Sequence, residues 1–207
     1  MVNYRKKFWS LLVVLSLLLL AACGGTESGT DVEDAPDGKV SGKFGVITYL
    51  TGAGAAYGEA ITNGFNLAVD EINEKGEVEI ELVIEDSAGK QEQALTAGNK
   101  LMSDDSIVAL LGPTLSTEFN VVAPEADMNG IAIMGTSTTA QGIPQIGDYV
   151  FRNSIPESLA IPAAMEKVVA KLGAKKVAIL YGNDDVFTKS GFDTMKEEAE
   201  KMGLEIV

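Results

Sequence analysis

Residues Ala109–Thr117 read ALLGPTLST. The apolar run Ile107–Leu111 has the composition of a strand covered on both faces. Gly112-Pro113 breaks the run, and Ser116 or Thr117 is placed to cap a following helix, with Glu118 in its first turn. A helix start offers unpaired backbone N–H groups and the positive end of a dipole. With hydroxyls beside them, these groups suit a carboxylate. The stretch therefore reads as strand, sharp turn and helix, with the turn gripping the acid end of a small ligand and the rest of the chain building a cleft around it.

Upstream, Lys43–Leu50 (KFGVITYL) predicts a first strand and Thr51–Gly58 (TGAGAAYG) a small-residue loop. Ala60–Lys75 predicts an amphipathic helix, with Ile61, Phe65, Ala68, Val69 and Ile72 on one face and Gly76 as its stop. Val78–Glu85 is a second strand, Asp86–Gly89 a turn, and Gln91–Met102 a second helix with Ala94, Leu95, Gly98, Leu101 and Met102 inward. Downstream, Thr117–Asn129 is a third helix that Pro124 should kink or divide. A fourth strand is expected at Ile131–Met134, a hydroxyl-rich loop at Gly135–Gly142 (GTSTTAQG) and a fifth strand at Tyr149–Arg152.

Alternating strands and helices predict an α/β fold, a doubly wound parallel sheet with right-handed crossovers. Ligands of such sheets bind beyond the strands' carboxyl ends, where strand order reverses. With the reversal between the first and third strands, the loops Thr51–Gly58, Gly112–Thr117 and Gly135–Thr139 converge there. After a Pro-bearing crossing at Asn153–Pro156 the pattern restarts: helix Glu157–Leu172, strand Lys176–Tyr181, loop Gly182–Phe187, helix Thr188–Met202 and strand Leu204–Val207. About 50 residues are too few to close a second doubly wound layer, so a fragment or a shortened gene is expected.

The N-terminus reads as an address. Arg5, Lys6 and Lys7 precede the apolar run Leu11–Leu20 and then Leu20-Ala21-Ala22-Cys23. This is the pattern of a secretory signal, and the run is short for a membrane span. LAAC resembles the bacterial lipobox, with Cys23, the single cysteine, at the lipidated position. Gly24–Gly42 has the composition of a flexible acidic tether. The expected organisation is a signal peptide (1–22), lipidated Cys23 and tether (23–42), a ligand-binding lobe (43–152), a crossing (153–156) and an incomplete second lobe (157–207). It implies an extracytoplasmic, membrane-anchored protein.

Composition narrows the function. All three bases of the first 22 residues lie in the signal, so the rest of the chain sets 13 bases against 30 acids. Such a surface disfavours nucleic acid and anionic membrane as partners. The chain has no histidine, which removes His-based acid–base chemistry, Ser-His-Asp triads and His-type zinc sites. An enzyme reading rests on Gly52-x-Gly54-x-x-x-Gly58, which imitates a dinucleotide loop. Its third glycine is one place late, and Glu85 or Asp86 lies over 30 residues beyond Gly52 rather than about 20.

Four stretches carry a family resemblance. GVITYLTGAGAAYGEAITNGFNLAVDEIN (Gly45–Asn73), LLGPTLSTEFNVVAP (Leu110–Pro124), GTSTTAQ (Gly135–Gln141) and YVFRNSIP (Tyr149–Pro156) resemble the branched-chain amino-acid binding proteins of ABC importers, with the type I periplasmic binding-protein fold. The resemblance runs from Lys43 to Val207. It implies a two-lobed clamshell of roughly twice this folded length, an amino acid held between the lobes, no cofactor, and an ABC permease as partner.

It also implies roles for individual residues. Ser116 matches the serine that binds the ligand carboxylate, and Thr138 the threonine that contacts both carboxylate and ammonium. Thr136 matches a position whose backbone carbonyl accepts from the ammonium. Tyr57 matches an aromatic pocket wall, and Thr114 and Leu115 match backbone and pocket contacts. Phe187 stands where the second lobe usually has tyrosine, followed here by Thr188 rather than glycine. The acid that pairs with the ammonium would lie beyond Val207. A sensor of amides or small acids on the same fold, without transport, stays open at this point.

Overall fold

The computed structural model describes residues 40–207. Its first sheet is β1 (Val40–Thr48), β2 (Val78–Asp86), β3 (Ile107–Leu111), β4 (Ala132–Gly135) and β5 (Val150–Arg152). The helices α1 (Ala55–Lys75), α2 (Gln91–Met102) and α3 (Ser116–Met128) join its first four strands. All pairings are parallel, in the order β2-β1-β3-β4-β5. Strand order reverses between β1 and β3, as expected of a doubly wound sheet.

Registers follow the apolar pattern. Gly45 pairs with Leu110, Leu110 with Ile133, and Ile133 with Val150. Leu110, Ile133 and Val150 join Ile47 on the face that α2 and α3 cover. From α3, Phe119, Val122, Ala123 and Ala126 enter the same core with no exposed surface. Burying Phe119 alone stabilises the fold by about 2–3 kcal/mol. Gly98 brings α2 close to α3, because a Cβ there would sit 2.8 Å from Val122 Cγ1. Alternation turns Met134 and Phe151 to the opposite face, where both are exposed.

Several boundaries differ from those expected. β1 begins at Val40, three residues early, because Val40, Ser41 and Gly42 pair with Val78, Glu79 and Ile80. Residues 1–39, with the signal, Cys23 and most of the tether, lie outside the described residues. α1 begins at Ala55, so Tyr57 and Gly58 are helical rather than in the loop. Ala68 of its expected inner face is exposed. α3 runs undivided through Pro124, where its buried side holds it on the sheet. A short 3-10 turn at Ile143–Gln145 had no signal in the pattern.

The second part contains α4 (Glu157–Leu172), β6 (Lys176–Val177), α5 (Val186–Lys201) and β7 (Glu205–Ile206). β6 and β7 form their own two-stranded parallel sheet. Only two residues of the expected strand Lys176–Tyr181 pair, and Leu180 is 92% exposed. α5 starts two residues early, so Phe187 lies in its first turn rather than in a loop. Val186 packs against the core of the first sheet.

Candidate functional site

The turn after β3 is stitched to its neighbours by backbone and hydroxyl groups. Gly112 has φ 94° and donates its N–H to the Met134 carbonyl at 2.9 Å. Thr114 is fully buried, and its hydroxyl pairs with that of Thr48 at 3.1 Å. The Thr114 side chain is thus spent inside the fold, leaving its backbone for any ligand contact. α3 then begins at Ser116, with Leu115 at the cap position.

The expected hydroxyl cap is absent. Glu118 instead reaches back to accept the Leu115 N–H at 3.1 Å. Ser116, 1% exposed, accepts the Ala140 N–H on Oγ at 3.4 Å. This leaves its own hydroxyl hydrogen to donate. Thr117 serves another helix: its Oγ1 donates to Asp185 Oδ2 at 3.1 Å and accepts the Val186 N–H at 2.9 Å.

Glu118 is buried, and burial pushes its carboxyl above the ordinary value of 4.5, aided by the Asp86 charge and opposed by bonds from Ser87 and the Leu115 N–H. A carboxyl whose folded pKa is raised makes no demand on stability below 4.5 and costs stability as pH climbs toward its folded value. Glu118→Gln keeps an acceptor for Leu115 and carries no charge. Urea unfolding at pH 5, 6 and 7 should show the variant more stable than wild type at pH 7, with a flatter pH profile above 4.5. A variant less stable at pH 7 would mean that the charge at the helix start outweighs its burial.

On the β1 side, the loop glycines make room for Tyr49. A Cβ at Gly54 would lie 2.3 Å from the Tyr49 ring, and one at Gly58 would lie 2.0 Å from the Tyr49 carbonyl oxygen. The glycine spacing that imitates a nucleotide loop is accounted for by this packing. Asp86 ties the loop to β2: it accepts the Leu50 N–H at 2.8 Å, the Ala88 N–H at 2.8 Å, the Thr51 N–H and the Thr51 hydroxyl. Burial raises its pKa, but the Thr51 hydroxyl and the three N–H groups outweigh it and hold the carboxyl below its ordinary range. Tyr57, half exposed on the first turn of α1, bonds through its hydroxyl to Ser137 across the switch point.

The loop after β4 brings hydroxyls inward. Thr138 is fully buried. The side-chain oxygens of Thr136, Thr138 and Thr139 are buried with no hydrogen-bond partner. Opposite them, α5 is capped by Asp185, which accepts the Thr188 N–H at 3.0 Å. Gln141 joins this helix through its N–H to Ser190 Oγ at 3.0 Å and its Nε2 to Thr194 Oγ1 at 2.7 Å. Phe187 is 45% exposed beside that cap.

The structure thus gathers Leu115, Ser116, Thr136 and Thr138 at the carboxyl ends of β3 and β4, bridged to Tyr57 through Ser137 and to the start of α5 through Thr117. Sequence reading missed Ser137, Thr48 and Asp185, whose partners lie 80, 66 and 68 residues away. Among the described residues there is no group of three or more acidic or cysteine side chains that could hold a metal ion, and no helix long and apolar enough to cross a membrane. Chemically, the site offers hydroxyl donors and a helix start to an anion, with aromatic and aliphatic walls beside them.

Comparison with known proteins gives a consistent family. The family described as periplasmic binding protein matches residues 41–207. The Leu/Ile/Val-binding protein BraC3 of Rhizobium johnstonii is 33% identical over 144 residues, covering 66% of this chain and 38% of that protein. The branched-chain amino acid transporter substrate-binding protein LivJ of Streptococcus pneumoniae, solved in complex with isoleucine, is 29% identical, with TM-score 0.74 over 81% of this chain and 48% of that one. The leucine-binding protein LivK of Thermotoga maritima shares the fold, with TM-score 0.72 and 20% identity over 80% of this chain and 47% of that one. The chain spans about half, or less, of the length of the relatives it matches.

Proposed function

The chain belongs to the periplasmic binding protein family, and from that premise we propose that it captures an amino acid, of branched-chain type, for an ABC importer. The observation that carries the reading is the convergence of the α3 start and Ser116 with the buried, unpartnered hydroxyls of Thr136 and Thr138. Unpaired buried hydroxyls are costly unless something satisfies them. A zwitterion gives the Thr138 hydroxyl a partner: its carboxylate takes the Ser116 and Thr138 hydroxyl hydrogens, and its ammonium donates to the Thr136 backbone carbonyl beside them. Tyr57, Leu115 and Phe187 wall the aliphatic tail.

Binding works as a population shift. Ligand settles on the first sheet, and the part carrying α5 closes over it through bonds of the Thr117–Asp185 and Gln141–Ser190 kind. A permease reads the closed form. The lipidated Cys23 and the tether hold the protein at an extracytoplasmic membrane surface.

The test is calorimetric titration of the full-length protein with L-leucine, L-isoleucine and L-valine. Ser116→Ala should weaken the preferred ligand by about 1.5–3 kcal/mol, the scale of a hydrogen bond to a charged group. An unchanged dissociation constant removes Ser116 from the site. No heat with any of the three amino acids overturns the reading.

A further inference from the structure

The crossing that follows β5 holds the hydroxyl-rich loop by its carbonyls. Asn153 N–H donates to Gly135 O at 3.1 Å, and Glu157 N–H donates to Thr139 O at 3.1 Å. Ser154 Oγ donates to Thr138 O at 3.3 Å. Arg152 Nη1 donates to Ala140 O at 2.7 Å and more weakly to Thr138 O at 3.5 Å. Four carbonyls of one loop are thus taken by residues 152–157. Ala140 in turn gives its N–H to Ser116 Oγ.

From this chain of contacts we infer that Arg152 is a positioning residue for ligand capture: it fixes Ala140, and through Ala140 it sets the Ser116 hydroxyl and couples the ligand loop to the crossing between the two sheets. The inference rests on the proposed function for its ligand. Its geometry stands on the contacts alone.

Apart from Gln141, which bonds to α5, the loop Gly135–Gly142 has no large side chain to anchor it, so the conformation of its Gly, Ser and Thr residues depends on where their backbone bonds go. The Arg152 guanidinium is half-buried and always charged, and its bond to a carbonyl is of the stronger, charge-assisted kind. With Ala140 held, its N–H fills an acceptor site on Ser116 Oγ and leaves the Ser116 hydrogen to point at a ligand. Without that hold, the Ser116 hydroxyl is free to turn and the Thr138 carbonyl loses one of its two donors. The same bonds act in reverse: a ligand that orders the loop orders the crossing, and a movement of the crossing is felt at Ser116.

The experiment compares wild type, Arg152→Gln and Arg152→Lys in the full-length protein by two readouts. The first is amide hydrogen exchange without ligand. In Arg152→Gln the Ala140 and Gln141 amides should exchange at least tenfold faster, while β1 and β3 amides keep their wild-type rates. The second is the rise in Tm on adding saturating L-leucine, L-isoleucine or L-valine. A purely structural role lowers Tm with and without ligand alike and leaves that rise intact. A positioning role shrinks the rise in Arg152→Gln, with partial recovery in Arg152→Lys, which still reaches one carbonyl.

Unchanged exchange at Ala140, or exchange raised equally in every strand, overturns the inference, as does a fully retained ligand-induced rise. If wild type itself shows no rise with any of the three amino acids, the proposed function fails. The exchange readout then decides Arg152 without it.

Discussion

Gly112→Ala should lower the unfolding free energy by about 3–5 kcal/mol, from left-handed strain plus overpacking at one position. Gly112 has φ 94°, a region that L side chains rarely adopt. A Cβ there would also lie 2.0 Å from the Ile47 carbonyl oxygen, which is strand backbone and cannot swing aside. The two costs are separable. Gly142 has φ 81° with nothing within 4 Å of a Cβ, so Gly142→Ala carries the strain alone and should cost about 1–2 kcal/mol. Urea unfolding of both variants measures the difference. If the two fall by the same amount, the turn relaxes away from Ile47, and its close approach to β1 is not what holds the ligand turn in place.

That turn illustrates what could be read in advance. Its strand and its helix were legible because Ile107–Leu111 is an unbroken apolar run and Phe119, Val122, Ala123 and Ala126 recur at helical spacing. α2 and α4 were legible to the residue for the same reason. Alternation and handedness called for a doubly wound parallel sheet, and the structure's strand order β2-β1-β3-β4-β5 has the reversal between β1 and β3 that was supposed for it. What failed was local chemistry decided at a distance. The helix cap was expected from a hydroxyl and is supplied by Glu118, and the hydroxyl of Thr117 goes to Asp185, 68 residues on. Ala55–Gly58 has no apolar period, so α1 was placed too late, although two alanines favour helix. Lys176–Tyr181 has the apolar content of a strand, yet only residues that find a partner in β7 become one. Position in the fold singled out Ser116 and the loops around it, and the family resemblance supplied Tyr57, Thr114, Leu115, Thr136, Thr138 and Phe187 as candidates. Their hydrogen-bond states, which decide whether each hydroxyl is free, were not in the sequence.

Gly135→Ala should abolish measurable amino-acid binding while leaving the protein folded, with a stability cost of about 2–3 kcal/mol from overpacking. An ideal Cβ on Gly135 would sit 2.0 Å from Thr138 Oγ1 and 3.0 Å from Thr138 Cβ, so the methyl takes the place of the hydroxyl proposed to bond the ligand carboxylate. Thr138 is fully buried, so it cannot shift away from the new methyl without carrying the loop with it. Removing the hydroxyl without moving the loop is a milder change: Thr138→Ala should weaken binding only by about 1.5–3 kcal/mol, the loss of one bond to a charged group. The double variant separates the two effects. Gly135→Ala with Thr138→Gly has room for the new methyl and should regain most of the lost stability, yet bind no better than Thr138→Ala. Calorimetry and urea unfolding on the same four proteins make the comparison. Recovery of wild-type binding in the double variant, beyond the level of Thr138→Ala, would show that the loop's shape, and not the Thr138 hydroxyl, recognises the ligand. Wild-type affinity in Gly135→Ala alone would place the ligand elsewhere than beside Thr138.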